Sequence, residues 1–135
     1  MAGYSGTPLA KKLGIRAGTT LLPRNAPADY AALMAPLPEG VVIAAKSVAG
    51  ACDLVHLFVT SRAMLAQDLP GARAAMKPDG ALWVSWYKKA AKIPTDVTED
   101  DIRRAALATD LVDVKVCAVS DIWSGLKLVV RKHLR

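Results

Sequence analysis

The pattern of hydrophobic and polar positions is clearest between residues 53 and 86. A hydrophobic run, DLVHLFVT, is followed by SRAMLAQDLPGARAAM, in which leucines and alanines recur at helical spacing, and then by a second run, ALWVSW. Strands that are buried on both faces of a parallel sheet read as continuous hydrophobic runs, not as alternating ones. The stretch therefore predicts two parallel strands, over residues 54–60 and 81–86, that are joined by a helix.

Particular residues mark the boundaries of this predicted central helix. Ser61 is suited to cap its N-terminus. Its buried stripe consists of Leu65, Leu69, Ala72 and Met76. Pro70 and Gly71 interrupt the stripe and predict a kink or two short helices. The sequence KPDG, residues 77–80, predicts a tight turn before the second strand.

Two shorter strands are predicted earlier in the chain, over residues 19–23 and 41–45. Pro23 ends the first strand, because proline has no N–H to give to a ladder. The connection from residue 45 to residue 54 is too short for a crossover helix, which takes about a dozen residues. An extended connection of this length spans about 25 Å at ~3.3 Å per residue, enough to pass one strand. We therefore predict the strand order second, first, third, fourth.

The hydrophobic period changes near the C-terminus. Thr98 and Asp101 form a variant of the capping box and predict the start of a helix that ends near Thr109. After this helix, valines alternate with polar residues in VDVKV, and leucines and valine do so in LKLVV. The alternation predicts an antiparallel hairpin of strands over residues 112–119 and 126–131 at the far edge of the sheet.

Length and composition fit one domain over residues 1–135. With 53% hydrophobic and 22% charged residues, the chain can bury a core without disulfides or metals. Cys52 and Cys117 show neither metal spacing nor a disulfide framework. No hydrophobic run approaches the ~20 residues of a membrane helix, and the N-terminus lacks the hydrophobic core of a signal peptide. We expect a cytoplasmic α/β protein, with a small, mostly parallel Rossmann-like sheet and a C-terminal antiparallel hairpin.

The basic charge of the chain is spread over many sites. The formal net charge is +6, but the cations occur as scattered pairs and aromatic residues make up only 5%. A nucleic-acid surface would concentrate cations on one face with exposed aromatic side chains between them. We therefore interpret the charge as a solvated basic surface and not as a nucleic-acid site.

No group of residues has the spacing of a catalytic or metal site. His56 lies within a predicted strand and His133 lies in the basic tail, and neither has a second ligand at metal spacing. Ser61, Ser85 and Ser124 lack the sequence context of a nucleophile elbow. We expect no catalytic residue and no metal ligand, and we interpret His56 as a core histidine.

Several motifs carry two resemblances. The order of helices and strands, with LGIRAG, DLVHLF, KPDGALWVSW and the hairpin VDVKV and LKLVV, resembles a shortened class I S-adenosylmethionine-dependent methyltransferase fold. The blocks AGYSGTPLAKKLGI, VHLFVT, PDGALWVSW, PTDVTEDDIR and WSGLKLV resemble an uncharacterised bacterial family of a domain of unknown function. The second resemblance covers nearly the whole chain and implies no activity.

The resemblance to methyltransferases can be checked where the cofactor would bind. It implies a glycine-rich turn after the first strand and an acidic residue at the end of the second strand. Here the first turn is LLPRNAP, residues 21–27, without glycine, and the second strand ends in Ala44, Ala45 and Lys46. We therefore expect no cofactor, and in particular no S-adenosylmethionine.

Two classes of function remain open. The preferred one is a non-catalytic binding or interaction module on a degenerate methyltransferase-like scaffold, with a protein partner. The alternative is a protein or enzyme for a small anionic ligand, with its site at the carboxyl ends of the parallel strands. Residues predicted there are Arg24, Asn25, Thr60, Ser61, Trp86, Lys88 and Lys89. Arg24 and Asn25 are expected to face the two lysines across about 10 Å, two strand spacings.

Overall fold

The computed structural model describes residues 7–135. The strands are β1 (Thr20–Arg24), β2 (Val42–Ile43), β3 (Cys52–Phe58), β4 (Met76–Tyr87), β5 (Leu111–Ala118) and β6 (Trp123–Val130). The helices are α1 (Leu9–Lys12), α2 (Tyr30–Met34), α3 (Arg62–Ala75) and α4 (Glu99–Leu107), with 3-10 turns at Lys89–Ala91 and Lys132–Leu134. No helix within the described range is long and hydrophobic enough to cross a membrane.

The six strands form one sheet in the order β2-β1-β3-β4-β6-β5. β1 pairs in parallel with β2 and β3, β3 pairs in parallel with β4, and β6 pairs antiparallel with β4 and β5. The predicted α/β class, strand order and terminal hairpin are confirmed. The connection from β2 to β3 passes α3, where the amide of Gly50 donates to the carbonyl of Ala74 at 2.8 Å.

The two faces of the sheet are covered by different helices. On one face, α3 and α4 pack through residues such as Leu65, Leu69 and Ile102. On the other face, α1 and α2 pack around Trp83, and the segment between α1 and β1 is tied to the sheet where the Trp83 indole N–H donates to the carbonyl of Leu13 at 2.9 Å. The sheet is therefore buried on both faces at its centre, as the continuous hydrophobic runs predict.

Of the two alternatives predicted for the central helix, a kink or two short helices, the second is wrong. α3 is one helix, and Pro70 lies inside it. Pro70 and Gly71 are on its exposed side, whereas Leu69 and Ala72 are buried against the sheet. Packing of the buried stripe therefore holds the helix together through a residue that cannot donate to the i−4 carbonyl.

The predicted turn over residues 77–80 is a bulge within β4. Cys52 of β3 pairs with Met76 and Leu54 pairs with Ala81, so one residue of β3 lies opposite four residues of β4. A Cβ atom at Gly80 would lie 2.8 Å from the carbonyl oxygen of Asp53, so only glycine fits there. The strand thus begins before KPDG, and the extra residues bulge out near the amino ends of β3 and β4.

Pro23 does not end β1. It pairs in register with His56 of β3, and β1 continues to Arg24. Leu21, two residues earlier, accepts a hydrogen bond from the amide of Ala44 on the β2 side. Pro23 faces that same side, where β2 has already ended, so its missing N–H leaves no gap in the ladder.

The predicted helix caps are confirmed. The Ser61 hydroxyl accepts from the amide of Met64 at 3.1 Å and begins α3. Thr98 and Asp101 form a full capping box at the start of α4. That helix ends at Leu107, two residues before the predicted end.

Candidate functional site

A cavity of about 680 Å³ opens at the carboxyl end of β4 and is called here the carboxyl-edge cavity. Its lining includes Trp86, Lys88, Lys89, Thr95, Glu99 and Asp100. The end of β4 supplies the tryptophan and the lysines, and the N-terminal turn of α4 supplies the two acidic residues. The amide of Lys88 donates to the carbonyl of Ile122 at 2.9 Å, which fixes the chain where it leaves the sheet.

The charges around the carboxyl-edge cavity have both signs. Glu99 and Asp100 are paired with Arg103, with oxygen to nitrogen distances of 2.5 and 2.8 Å. Within residues 7–135, the ammonium groups of Lys88 and Lys89 have no acidic partner. The cavity therefore offers two available cations, a mostly buried indole ring and the first turn of a helix.

Thr60 and Ser61 lie at the end of β3, and their polar groups hold the scaffold together. The hydroxyl of Thr95, in the cavity wall, donates to the carbonyl of Thr60 at 2.8 Å. The Ser61 hydroxyl caps α3, and the next amide, of Arg62, donates to Asp96 at 2.8 Å. These bonds position the loop over residues 95–97, which forms part of the cavity wall.

Arg24 and Asn25 do not line the carboxyl-edge cavity. The guanidinium group of Arg24 lies against α3, 3.6 Å from the position that a Cβ atom on Gly71 would take. The Asn25 amide nitrogen donates to the carbonyl of Phe58 at 3.2 Å and to Asp68 of α3 at 2.8 Å. Of the seven predicted residues, the structure brings together Trp86, Lys88 and Lys89, with Thr60 adjacent through Thr95.

The Asn25 side chain bridges the end of β3 and α3 beside the crevice between β1 and β3. The strand order reverses at this point, since β2 follows β1 on one side and β4 follows β3 on the other. Open α/β sheets bind ligands in the crevice outside the carboxyl ends of the strands at such a reversal. Asn25 adopts a left-handed backbone, φ 57°, which directs its amide onto the end of β3 and onto α3. Sequence reasoning places Asn25 at this edge but could not show that it joins these two elements.

A buried chain of polar side chains lies below this edge. The Tyr30 hydroxyl oxygen lies 3.0 Å from Nδ1 of His56, and Nε2 of His56 lies 2.8 Å from the Ser85 hydroxyl. His56 and Ser85 are fully buried, and burial lowers the pKa of His56 to about 3 and raises the pKa of Tyr30. No substrate reaches a serine without solvent access, so these bonds join α2, β3 and β4 as structure. The interpretation of His56 as a core histidine is confirmed.

A second cavity, of about 440 Å³, lies at the opposite end of the sheet and is called here the amino-edge cavity. Its lining includes Arg16, Asp53, Asp79, Gly80 and Lys127. Sequence reasoning missed it because its walls come from a loop, the β4 bulge and β6, whose register the hydrophobic pattern does not reveal. Nowhere in the described part of the chain do three His, Cys, Asp or Glu side chains cluster as a metal site would need.

Comparisons with known proteins concern the fold. Neither protein-family models nor curated proteins give a match. Among solved structures, a SAM-dependent methyltransferase from Aquifex aeolicus is similar, with a TM-score of 0.65, 15% identity, and coverage of 90% of this chain and 88% of that one. A tRNA methyltransferase from B. subtilis has a TM-score of 0.61 and 10% identity, with coverage of 95% and 67%.

A fibrillarin pre-rRNA processing protein from Methanococcus jannaschii gives a similar result. Its TM-score is 0.58 at 13% identity, with coverage of 90% of this chain and 73% of that one. At these identities the likeness establishes architecture, because one fold hosts many functions. The chain has a methyltransferase-like α/β fold.

Proposed function

We propose that this chain is a non-catalytic binding module built on a methyltransferase-like scaffold. The observation that carries the proposal is that the Asn25 side chain bonds β3 to α3 beside the crevice between β1 and β3, which would close this crevice to a cofactor. A cofactor held at the strand reversal would need this crevice open and would need backbone N–H groups converging from a glycine turn. The stretch from Leu21 to Pro27 contains no glycine, and neither Pro23, within β1, nor Pro27 has an N–H to offer.

The second strand gives the same indication. β2 is only two residues long, and the chain beyond it carries Ala44, Ala45 and Lys46, with no carboxylate for ribose hydroxyls. Val42 and Ile43 are both about half exposed. The half of the fold that binds cofactor in dinucleotide-binding proteins is therefore reduced, while the core around β3, β4 and β6 is fully built. The scaffold persists without the features that hold S-adenosylmethionine.

Calorimetric titration with S-adenosylmethionine and S-adenosylhomocysteine tests the proposal. We expect no binding tighter than about 100 μM, which corresponds to about −5.5 kcal/mol. Methyl transfer is the function named for several structures with this fold, and a tighter, one-to-one affinity for either compound would support it for this chain and overturn the proposal. The variant Asn25→Gly, which keeps the left-handed backbone and removes the amide, is the matched comparison. If binding appears only in that variant, the side chain closes an otherwise competent crevice.

The second candidate function is binding of a small anionic ligand at the carboxyl-edge cavity. Its support is the pair of unpartnered cations, Lys88 and Lys89, beside the Trp86 ring in a cavity of ligand size. The double replacement of Lys88 and Lys89 by Ala should leave the free energy of unfolding within ~0.5 kcal/mol of wild type. It should also abolish any anion-dependent rise in melting temperature that arises here. A rise that survives the double replacement would place the anion elsewhere.

A further inference from the structure

Two cations, Arg16 and Lys127, line the amino-edge cavity, and a third, the exposed Lys115, lies beside Lys127. Lys127 of β6 is directly opposite Lys115 of β5 in the antiparallel ladder, and Arg16 approaches from the loop before β1. None of the three side chains has an acidic partner or a hydrogen-bond acceptor within residues 7–135. Like charges directly opposite each other on neighbouring strands destabilise a sheet. The positive charges of Lys115, Lys127 and Arg16 therefore repel one another, and a bound anion would reduce this repulsion.

The position of Lys127 increases this repulsion. Lys127 is part-buried in the cavity wall, and desolvation, followed by the charges of Lys115 and Arg16, lowers its pKa. A cation in this setting is poorly compensated by water. A bound anion would replace the missing solvation and interact with all three groups at once.

The loop that carries Arg16 is held in one place. The Arg16 amide donates to the Thr19 hydroxyl at 2.9 Å, and Leu13, at the other end of the loop, is bonded to the buried Trp83. Gly14 and Gly18 have φ values of 85° and 80°, a left-handed backbone that glycine adopts without strain. The cavity is thus walled by fixed backbone on one side and by the sheet on the other.

Two acidic residues, Asp53 and Asp79, also line the amino-edge cavity. Asp53 is already satisfied, because it accepts from Lys77 at 2.7 Å and from the amide of Thr20 at 2.8 Å. Asp79 accepts no hydrogen bond from residues 7–135, although its charge helps to raise the pKa of Lys77. A carboxylate with unused lone pairs accepts hydrogen bonds from hydroxyl groups. A ligand that fills the cavity should therefore carry an anionic group at one end and hydroxyl groups at the other.

We propose that the amino-edge cavity binds a small phosphorylated sugar, with its phosphate on Lys127, Lys115 and Arg16 and its hydroxyls on Asp79. The volume of about 440 Å³ lies within the range of small-molecule sites. This site is distinct from the carboxyl-edge cavity, which lies at the other end of the parallel strands. The inference rests on the proposed function and names phosphorylated sugars as the class of ligand that the binding module takes.

The test uses ribose 5-phosphate and inorganic phosphate as probes in calorimetry and thermal unfolding. We expect ribose 5-phosphate to bind wild type with a dissociation constant below about 1 mM and to raise its melting temperature. Lys127→Gln should weaken this binding at least about tenfold, because a charge-assisted hydrogen bond is lost. Asp79→Asn should weaken binding of ribose 5-phosphate while leaving that of inorganic phosphate unchanged.

The matched control is Lys46→Gln, which removes the same charge from an exposed lysine in the connection after β2. It should bind both probes as wild type does. Without ligand, Lys127→Gln should melt no lower than wild type, since it removes repulsion, and this separates loss of binding from loss of folding.

Three results would overturn the proposal. One is no binding of ribose 5-phosphate at 10 mM, about ten times the expected constant. Another is equal weakening in Lys127→Gln and Lys46→Gln, which would mean diffuse attraction to the net charge of +6. The third is binding of a ten-nucleotide single-stranded DNA, with steep salt dependence, when ribose 5-phosphate does not bind, which would indicate a nucleic-acid surface.

Discussion

Among single residues, His56 has the most unusual environment. Its ring is fully buried, contacts Tyr30 and Ser85 through its two nitrogens, and stacks on Phe58 with ring centres 4.3 Å apart. Because burial disfavours the charged imidazolium, the pKa falls from 6.5 in the unfolded chain to about 3 in the folded one. The fold is therefore built around a neutral histidine.

This pKa predicts how stability depends on pH. The unfolded chain takes up a proton at His56 below about pH 6.5 and the folded chain does not, so stability is complete above that pH and falls as the pH drops towards 3. The expected loss is about 1.4 kcal/mol per pH unit over this window, added to other acid effects. Urea unfolding of wild type and of His56→Gln between pH 7.5 and 5 measures it. Equal slopes in the two proteins would contradict the prediction.

A second prediction about a single residue concerns substitutions of Asn25. Asn25→Gly should lose the two hydrogen bonds to Phe58 and Asp68, each contributing about 0.5–1.5 kcal/mol to stability. Asn25→Ala should lose about 1 kcal/mol more, because alanine is strained at the φ of 57° that this position requires. Denaturant midpoints of the two variants compare them directly. If the alanine variant is as stable as the glycine variant, the backbone at residue 25 has relaxed and the amide does not hold the crevice closed.

Among the elements, α4 depends most clearly on a local signal. The Thr98 hydroxyl accepts from the Asp101 amide, and the Asp101 carboxylate accepts in turn from Thr98 and from Arg62 of α3. Thr98→Ala should cost about 1 kcal/mol, which lowers the melting temperature by about 3–5 °C for a chain of this size. Thr98→Ser keeps the hydroxyl and should restore most of the loss. A serine variant as unstable as the alanine variant would show that packing of the Thr98 methyl group matters, and not the cap.

Local signals of this kind explain which elements the sequence predicts. Ser61 and the pair Thr98 and Asp101 mark helix starts because capping depends on residues three positions apart. Pro70 misled the prediction, because its helix is held by tertiary packing that outweighs a missing hydrogen bond. The bulge over residues 77–80 was also missed, since KPDG has the composition of a turn, and only the pairing of Cys52 with Met76 extends the strand before it.

At the scale of the whole molecule, the predictability of the sites differs from that of the fold. Continuous hydrophobic runs identify the buried parallel strands, and the short connection between residues 45 and 54 sets their order, so both could be predicted. The sequence also shows where the hydrophobic run of β4 ends, which is why Trp86, Lys88 and Lys89 could be placed together. The opposition of Lys115 and Lys127 could not be predicted, because a register irregularity between Asp113 and Lys115 sets it.

The crevice and the two cavities lie at different positions in the sheet. At the strand reversal, the Asn25 amide nitrogen donates to the carbonyl of Phe58 and to the carboxylate of Asp68. The carboxyl-edge cavity lies at the same end of the parallel strands, and the amino-edge cavity lies at the opposite end.

The most direct measurement is a two-dimensional ¹H–¹⁵N NMR titration of the whole chain with S-adenosylhomocysteine. The mass of 14.3 kDa is suited to it, and each amide reports binding at its own position. We predict that the amide signals of Asn25 and Phe58 stay in place at a ligand concentration of about 1 mM, ten times the weakest constant that would count as binding. Saturable shifts centred on those two residues would contradict the proposal that the methyltransferase-like crevice is closed.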